Sequence, residues 1–153
     1  MYQQLLVPLD GSELSEAVLP HVEGLALRLA ARVHLVRVAN LPATVVMGPL
    51  DGPIPPEMLE EALQAEMDEA RQYLTEVVGR LQSRGLQVTW EVLEGNPAQA
   101  IIAAARQHGC DLIAMATHGR SGLTRLVLGS VADRVLREAH LPVLLVRPPV
   151  AAP

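Results

Sequence analysis

The stretch DLIAMATHGRSGLTRLVLGS, residues 111–130, decides how the rest of the chain is read. Residues 111–116 form a near-continuous apolar run, the length of a strand buried on both faces. The chain then carries Gly119, Gly122 and Gly129, and from Ser130 to residue 140 it spaces Val131, Val135, Leu136 and Ala139 as a helix face. A strand that passes into a helix through such a segment has two readings. One is an anion cradle: glycine lets successive amides approach an oxyanion, and Ser130 stands where a helix N-terminus leaves amides unpaired. The other is an ordinary connection closed by a turn and an N-cap. Between residues 116 and 137, Arg120, Arg125, Arg134 and Arg137 face the single acid Asp133, in a chain of net charge −5. The local charge favours an anion.

Working outward, the same alternation repeats. Residues 3–9 (QQLLVPL) read as a buried strand that ends in the turn Asp10-Gly11-Ser12. From Leu14, the positions Val18, Val22, Leu25 and Leu29 trace a helix face, with Pro20 and Gly24 expected to kink or weaken it. Residues 33–39 (VHLVRVA) form a second strand. The proline-rich segment 41–56 is a loop by composition and a possible lid. Residues 57–84 resume helical spacing through Leu59, Leu63, Met67, Ala70, Leu74, Val77 and Leu81, and Gly85 supplies the stop. Residues 86–93 (LQVTWEVL) alternate as a strand with one wetter face, expected at a sheet edge. Asn96-Pro97 is an N-cap and first-turn proline opening a helix to about His108. Residues 142–147 (PVLLVR) close the series as a fifth strand.

Five strands alternating with helices predict an α/β fold: a three-layer, open, twisted parallel sheet, Rossmann-like, with helices on both faces. Right-handed crossovers gather every strand-to-helix turn along one sheet edge, where such folds bind ligands. The Asp10 turn, the 41–56 loop and the 117–130 segment all fall on that edge.

With 153 residues, one domain over residues 1–148 and a tail at 149–153 are expected. All twelve basic residues are arginine, which excludes a P-loop lysine and Schiff-base chemistry. Net charge −5 argues against nucleic-acid or anionic-membrane partners. Cys110 is the sole cysteine, and no apolar run reaches membrane-spanning length, so a reduced, cytoplasmic setting is expected.

Asp10 is placed to meet a ligand, or else Asp10 or Ser12 caps the first helix. A phosphoacceptor role for Asp10 is excluded by the absence of lysine. The histidines lack HxxxH or HxxEH spacing and predict no metal set; His21, His34 and His108 read as helix-face or strand residues, and His118 as the one that could overlie the pocket. Cys110 and Asp111 read as structural, Trp90 as a packing residue. No catalytic residue is expected.

The phrases VPLDGS, THGRSG, LGSVADRVL and LPVLLVRP, in this order across the chain, resemble the universal stress protein family. The resemblance implies strand order 3-2-1-4-5 and a homodimer joined through the final strand, 142–147. It also implies, for one branch, ATP binding through glycine, two residues, glycine, nine residues, glycine, then Ser or Thr. Gly119, Gly129 and Ser130 match that pattern, and Ala116 replaces its first glycine. Carried over by position, Pro8, Leu9 and Asp10 would border the adenosine, Val38 would offer backbone groups to the base, and Met115 and Ala116 would line the ribose region. Gly119, Arg120, Gly129, Ser130 and Val131 would surround the phosphates, with Mg2+ held through phosphate oxygens rather than by protein ligands. The expected function is an ATP-dependent signalling or stability switch in stress response. The alternatives are a nucleotide-independent dimeric interaction module, like the non-binding branch, and a weak ATP hydrolase.

Overall fold

The computed structural model describes residues 1–41, 52–117 and 128–149. Among these, the elements in chain order are β1 (Gln4–Pro8), α1 (Glu13–Glu16), α2 (Leu19–Leu29), β2 (Arg32–Ala39), α3 (Pro56–Gln82), β3 (Gln87–Glu94), α4 (Pro97–Gln107), β4 (Leu112–Ala116), α5 (Ser130–Glu138) and β5 (Val143–Val146). The strands form one parallel sheet in the order β3-β2-β1-β4-β5, as expected. Among the described residues no helix is long and apolar enough to cross a membrane. Most of the 41–56 segment, His118, Gly119, Arg120, Gly122 and Arg125 lie outside the described residues.

Two apolar layers hold the sheet between helices. Leu5 and Val7 of β1 join Val33 and Leu35 of β2 in a core with Val22 of α2 and Leu74, Val77 and Leu81 of α3. Leu6 of β1 points the other way, to Val36, Ile113 and Met115 and to Ile101, Ala105, Ala132 and Val135 of α4 and α5. Successive strand residues face opposite sides, so a strand covered on both sides reads as a continuous apolar run. Full burial of each Leu, Ile or Val contributes about 1.5–3 kcal/mol.

The helix expected from Leu14 onward is two helices. Pro20 has no N–H to donate to Glu16, and its ring crowds that carbonyl. The chain therefore ends α1 at Glu16 and begins α2 at Leu19, with Pro20 in the first turn, where a proline is tolerated. Gly24 lies inside α2 without breaking it. The other predicted termini hold to within about two residues. Asn96 Oδ1 accepts from Gln99 N at 3.2 Å, the cap expected for α4. Gly85 adopts φ +91° and lets Leu86 N donate back to Leu81 O. Trp90, expected to pack, stands 36% exposed on edge strand β3.

Asp111 pins the start of β1 to β4. Its carboxylate accepts from Gln3 N at 2.9 Å and Gln4 N at 3.0 Å, while its own amide donates to Gln4 O. Burial alone would raise its pKa, but these amide bonds outweigh that and hold it below the ordinary value.

Candidate functional site

The strand ends converge as the topology requires. β1 stops at Pro8, yet Leu9 N still donates to Val36 O at 2.9 Å. Parallel strands direct the backbone groups of alternate residues to the same side. The backbone of Val38 thus turns to the side from which β1 has already departed. Beyond Pro8 the chain folds into a tight turn. Asp10 Oδ1 accepts from Ser12 N at 2.8 Å and from the Ser12 hydroxyl, and Ser12 Oγ caps α1 by accepting from Ser15 N. Of the two sequence readings, Ser12 is the cap and Asp10 braces it. Ser15 Oγ accepts from Asp10 N at 3.3 Å and donates to Ser12 O at 2.9 Å, which fixes the turn from within.

Gly11 occupies that turn with φ +87°, a conformation open to glycine. Beneath it lies the Arg37 guanidinium, buried and held by Glu66 Oε1 at 3.1 Å, Glu69 Oε1 at 3.7 Å and the Tyr73 ring at 5.3 Å. Both carboxylates and the ring belong to α3, so that helix supports the turn from below.

On the opposite side, α5 opens at Ser130 with Gly129 as its N-cap. No side chain caps this end, and Ser130 is the first helical residue, not the cap. The first bond of the helix runs from Asp133 N to Gly129 O, so the amides of Gly129, Ser130, Val131 and Ala132 have no partner within the helix. Gly129 has φ −60° and ψ 156°, extended backbone open to any residue. Glycine at this position therefore serves through the lack of a side chain beside the amides, not through a positive φ.

Between the turn and the helix end lies a cavity of about 210 Å³. Pro8, Leu9, Asp10, Val38, Met115, Ala116, Gly129, Ser130 and Val131 line it, as do four residues that the sequence reading missed: Ser15, Pro97, Ile101 and Ala132. Pro97 and Ile101 are one helical turn apart on α4 and add apolar wall. The lining is thus mostly apolar, with the Asp10 turn and the amide-bearing end of α5 as its polar features. Gly119 and Arg120 lie outside the described residues. Thr117 Oγ1, at the exit of β4, is buried without a hydrogen-bond partner among the described residues.

A second polar group sits at the other end of α4. His34 Nδ1 lies 2.7 Å from Thr89 Oγ1 and His34 Nε2 3.1 Å from Glu91 Oε1. His108, the C-cap of α4, places Nε2 2.8 Å from the same Glu91 oxygen, with its ring 4.0 Å from that of His34. Burial pushes His34 below its ordinary pKa; Glu91, which burial would raise, is drawn down by its two histidine bonds. Histidine spacing predicted no such set. Register and a helix end bring it together from three elements.

Comparison with known proteins accords with this architecture. Residues 1–147 match the Universal stress protein family. The chain is 36% identical over 149 residues to the universal stress protein MJ0531 of Methanocaldococcus jannaschii, covering 97% of this chain and 84% of that one. It is 30% identical to the universal stress protein YxiE of Bacillus subtilis, over 96% of this chain and all of that one. Among solved structures, the hypothetical protein MJ0577 superposes with a TM-score of 0.80 at 29% identity, covering 99% of each chain. A universal stress protein from Burkholderia pseudomallei superposes with a TM-score of 0.72 at 31% identity, covering 97% of each. With its fold and its sequence both in agreement with these relatives, the chain belongs to the universal stress protein family.

Proposed function

We propose that the cavity binds an adenine nucleotide, ATP with Mg2+, and that occupancy serves as a signalling or stability switch. One observation carries this reading: nine residues that the family resemblance assigns to the nucleotide, contributed by the ends of β1, β2 and β4 and the start of α5, line one pocket. The apolar walls suit a flat base, and the Val38 backbone can read its edge. Asp10 offers a carboxylate to ribose hydroxyls, and the unpaired amides of α5 suit phosphate oxygens. Each such amide contributes about 0.3–1 kcal/mol where exposed, so useful affinity requires several together. Mg2+ fits as an ion held by phosphate oxygens, since the described lining provides Asp10 as its carboxylate and Ser12 already engages it. No described lining residue is placed as a general base for water, so the reading is binding rather than rapid hydrolysis. The 41–56 segment as a lid, and Gly119 and Arg120 at the phosphates, belong to the same proposal.

A second reading, a dimeric interaction module that works without nucleotide, is favoured by β5. It is an edge strand whose Val143, Leu144 and Leu145 are only half-buried, as suits pairing with a second copy. Native mass spectrometry of freshly purified protein separates the two readings. A dimer carrying adenine nucleotide is expected; a dimer free of nucleotide that takes up none from millimolar Mg–ATP supports the second reading alone.

A further inference from the structure

We propose that His34, Glu91 and His108 form a binding site for a divalent transition-metal ion, zinc being the best match, at the end of α4 remote from the pocket. The donor atoms already converge. Glu91 Oε1 lies 3.1 Å from His34 Nε2 and 2.8 Å from His108 Nε2, and one ligand atom from each residue lies within 4.8 Å of the others. Around tetrahedral zinc, with bonds of about 2.0–2.2 Å, ligand atoms stand roughly 3.3–3.5 Å apart. The carboxylate oxygen therefore has to draw back by only a few tenths of an ångström. The rings require more. Their centroids are 4.0 Å apart, whereas two imidazoles on one tetrahedral ion hold theirs about 5 Å apart. His108 accommodates that shift, because its side chain is 32% exposed at a helix end while that of His34 is 4% exposed within the sheet.

His34 is positioned for either state. A threonine hydroxyl both donates and accepts, so Thr89 satisfies Nδ1 in both neutral tautomers. Without metal, Nε2–H donates to Glu91 and the Thr89 hydroxyl donates to Nδ1. With metal on Nε2, the ring carries its proton on Nδ1 and Thr89 accepts it, as the outer-sphere partners of metal-bound histidines do. Proton exchange with solvent converts one neutral tautomer into the other, so the ring's proton count is unchanged.

Two imidazoles and a carboxylate select zinc and its neighbours over magnesium or calcium, and three protein ligands leave a position for water. Glu91 and His108 are each about one-third exposed, which gives the ion a route from solvent. Across α4, rising 1.5 Å per residue, the group lies about 16 Å from the pocket wall at Pro97 and uses none of the nucleotide residues.

The test is titration of the metal-free full chain with Zn2+ alone by calorimetry, and with Co2+ by visible absorption. One ion per chain is expected, with a micromolar or tighter dissociation constant and the intense d–d bands of a tetrahedral site. His108→Ala, a change at an exposed helix cap, is expected to weaken zinc by roughly tenfold or more and to remove the bands, and Glu91→Gln to weaken it similarly. Gly129→Val, in the pocket, leaves zinc affinity unchanged, so this proposal and the nucleotide reading fail separately. Equal zinc affinity in wild type and His108→Ala, or no uptake by wild type at about 100 µM zinc, a level far above the expected constant, overturns the assignment.

Discussion

Gly11 lies directly over the Arg37 guanidinium: a Cβ at Gly11 would stand 2.8 Å from Arg37 Nη1. Two constraints therefore fall on one residue, since Gly11 also holds φ +87°. The relationship ties the Asp10 turn, which borders the pocket, to the Arg37–Glu66–Tyr73 group beneath it. Pocket shape is thus set partly by α3, a helix that does not line the pocket.

Gly11→Ala is expected to cost about 1–3 kcal/mol, from left-handed strain and displacement of a buried ion-paired arginine. Gly79→Ala provides the contrast. Gly79 lies inside α3 with nothing within 4 Å of an added Cβ, so the change is expected to stabilise by about 0.5–1 kcal/mol. Urea midpoints of the two variants should move in opposite directions; a shift of the same sign would contradict the placement of Gly11.

Asp111 predicts a pH dependence of definite sign. Its folded pKa is below the ordinary 3.8, so the stability it contributes is fully present above the unfolded value and is lost as pH falls through the folded one. Asp111→Ala is expected to cost about 1 kcal/mol at pH 7, a modest figure for a partly exposed carboxylate, and to cost less as pH drops below about 4. Denaturation midpoints of both proteins across pH 3–7 check this; a gap that widens toward acid would be the wrong sign.

Cys110 is 5% exposed, and burial, reinforced by the Asp111 and Glu91 charges, pushes its thiol up to about 11. Little thiolate then exists near neutrality. A thiol-specific disulfide reagent at pH 8 should label the native protein at least about tenfold more slowly than the urea-unfolded chain. Equal rates would place Cys110 at the surface.

The sheet was legible because it is covered on both sides. Leu5, Leu6 and Val7 are all buried, and such runs separated by helical spacing admit few arrangements. The break between α1 and α2 carried a local signal in Pro20, but its position depended on which carbonyl the ring would meet. The polar arrangement of the Asp10 turn was half legible. Serine and aspartate are both capping residue types, and only the backbone path gives the cap to Ser12. Pro97 and Ile101 were missed as pocket residues although Asn96-Pro97 marked a helix start on the ligand-bearing edge. Their part depends on how α4 packs against β2, β3 and α5. His34 and Glu91 meet through the β2–β3 register, 57 residues apart, and no one-dimensional spacing encodes that.

Calorimetric titration of nucleotide-free protein with Mg–ATP, wild type against Gly129→Val, tests the central claim most directly. Valine is compatible with φ −60° at position 129, so the variant should fold, at a cost of about 1 kcal/mol as a poorer N-cap. Its side chain would crowd the amides that open α5. Saturable one-to-one binding by wild type and none by Gly129→Val is the expected result; equal affinity in both, or heat-silent mixing with wild type, would contradict it.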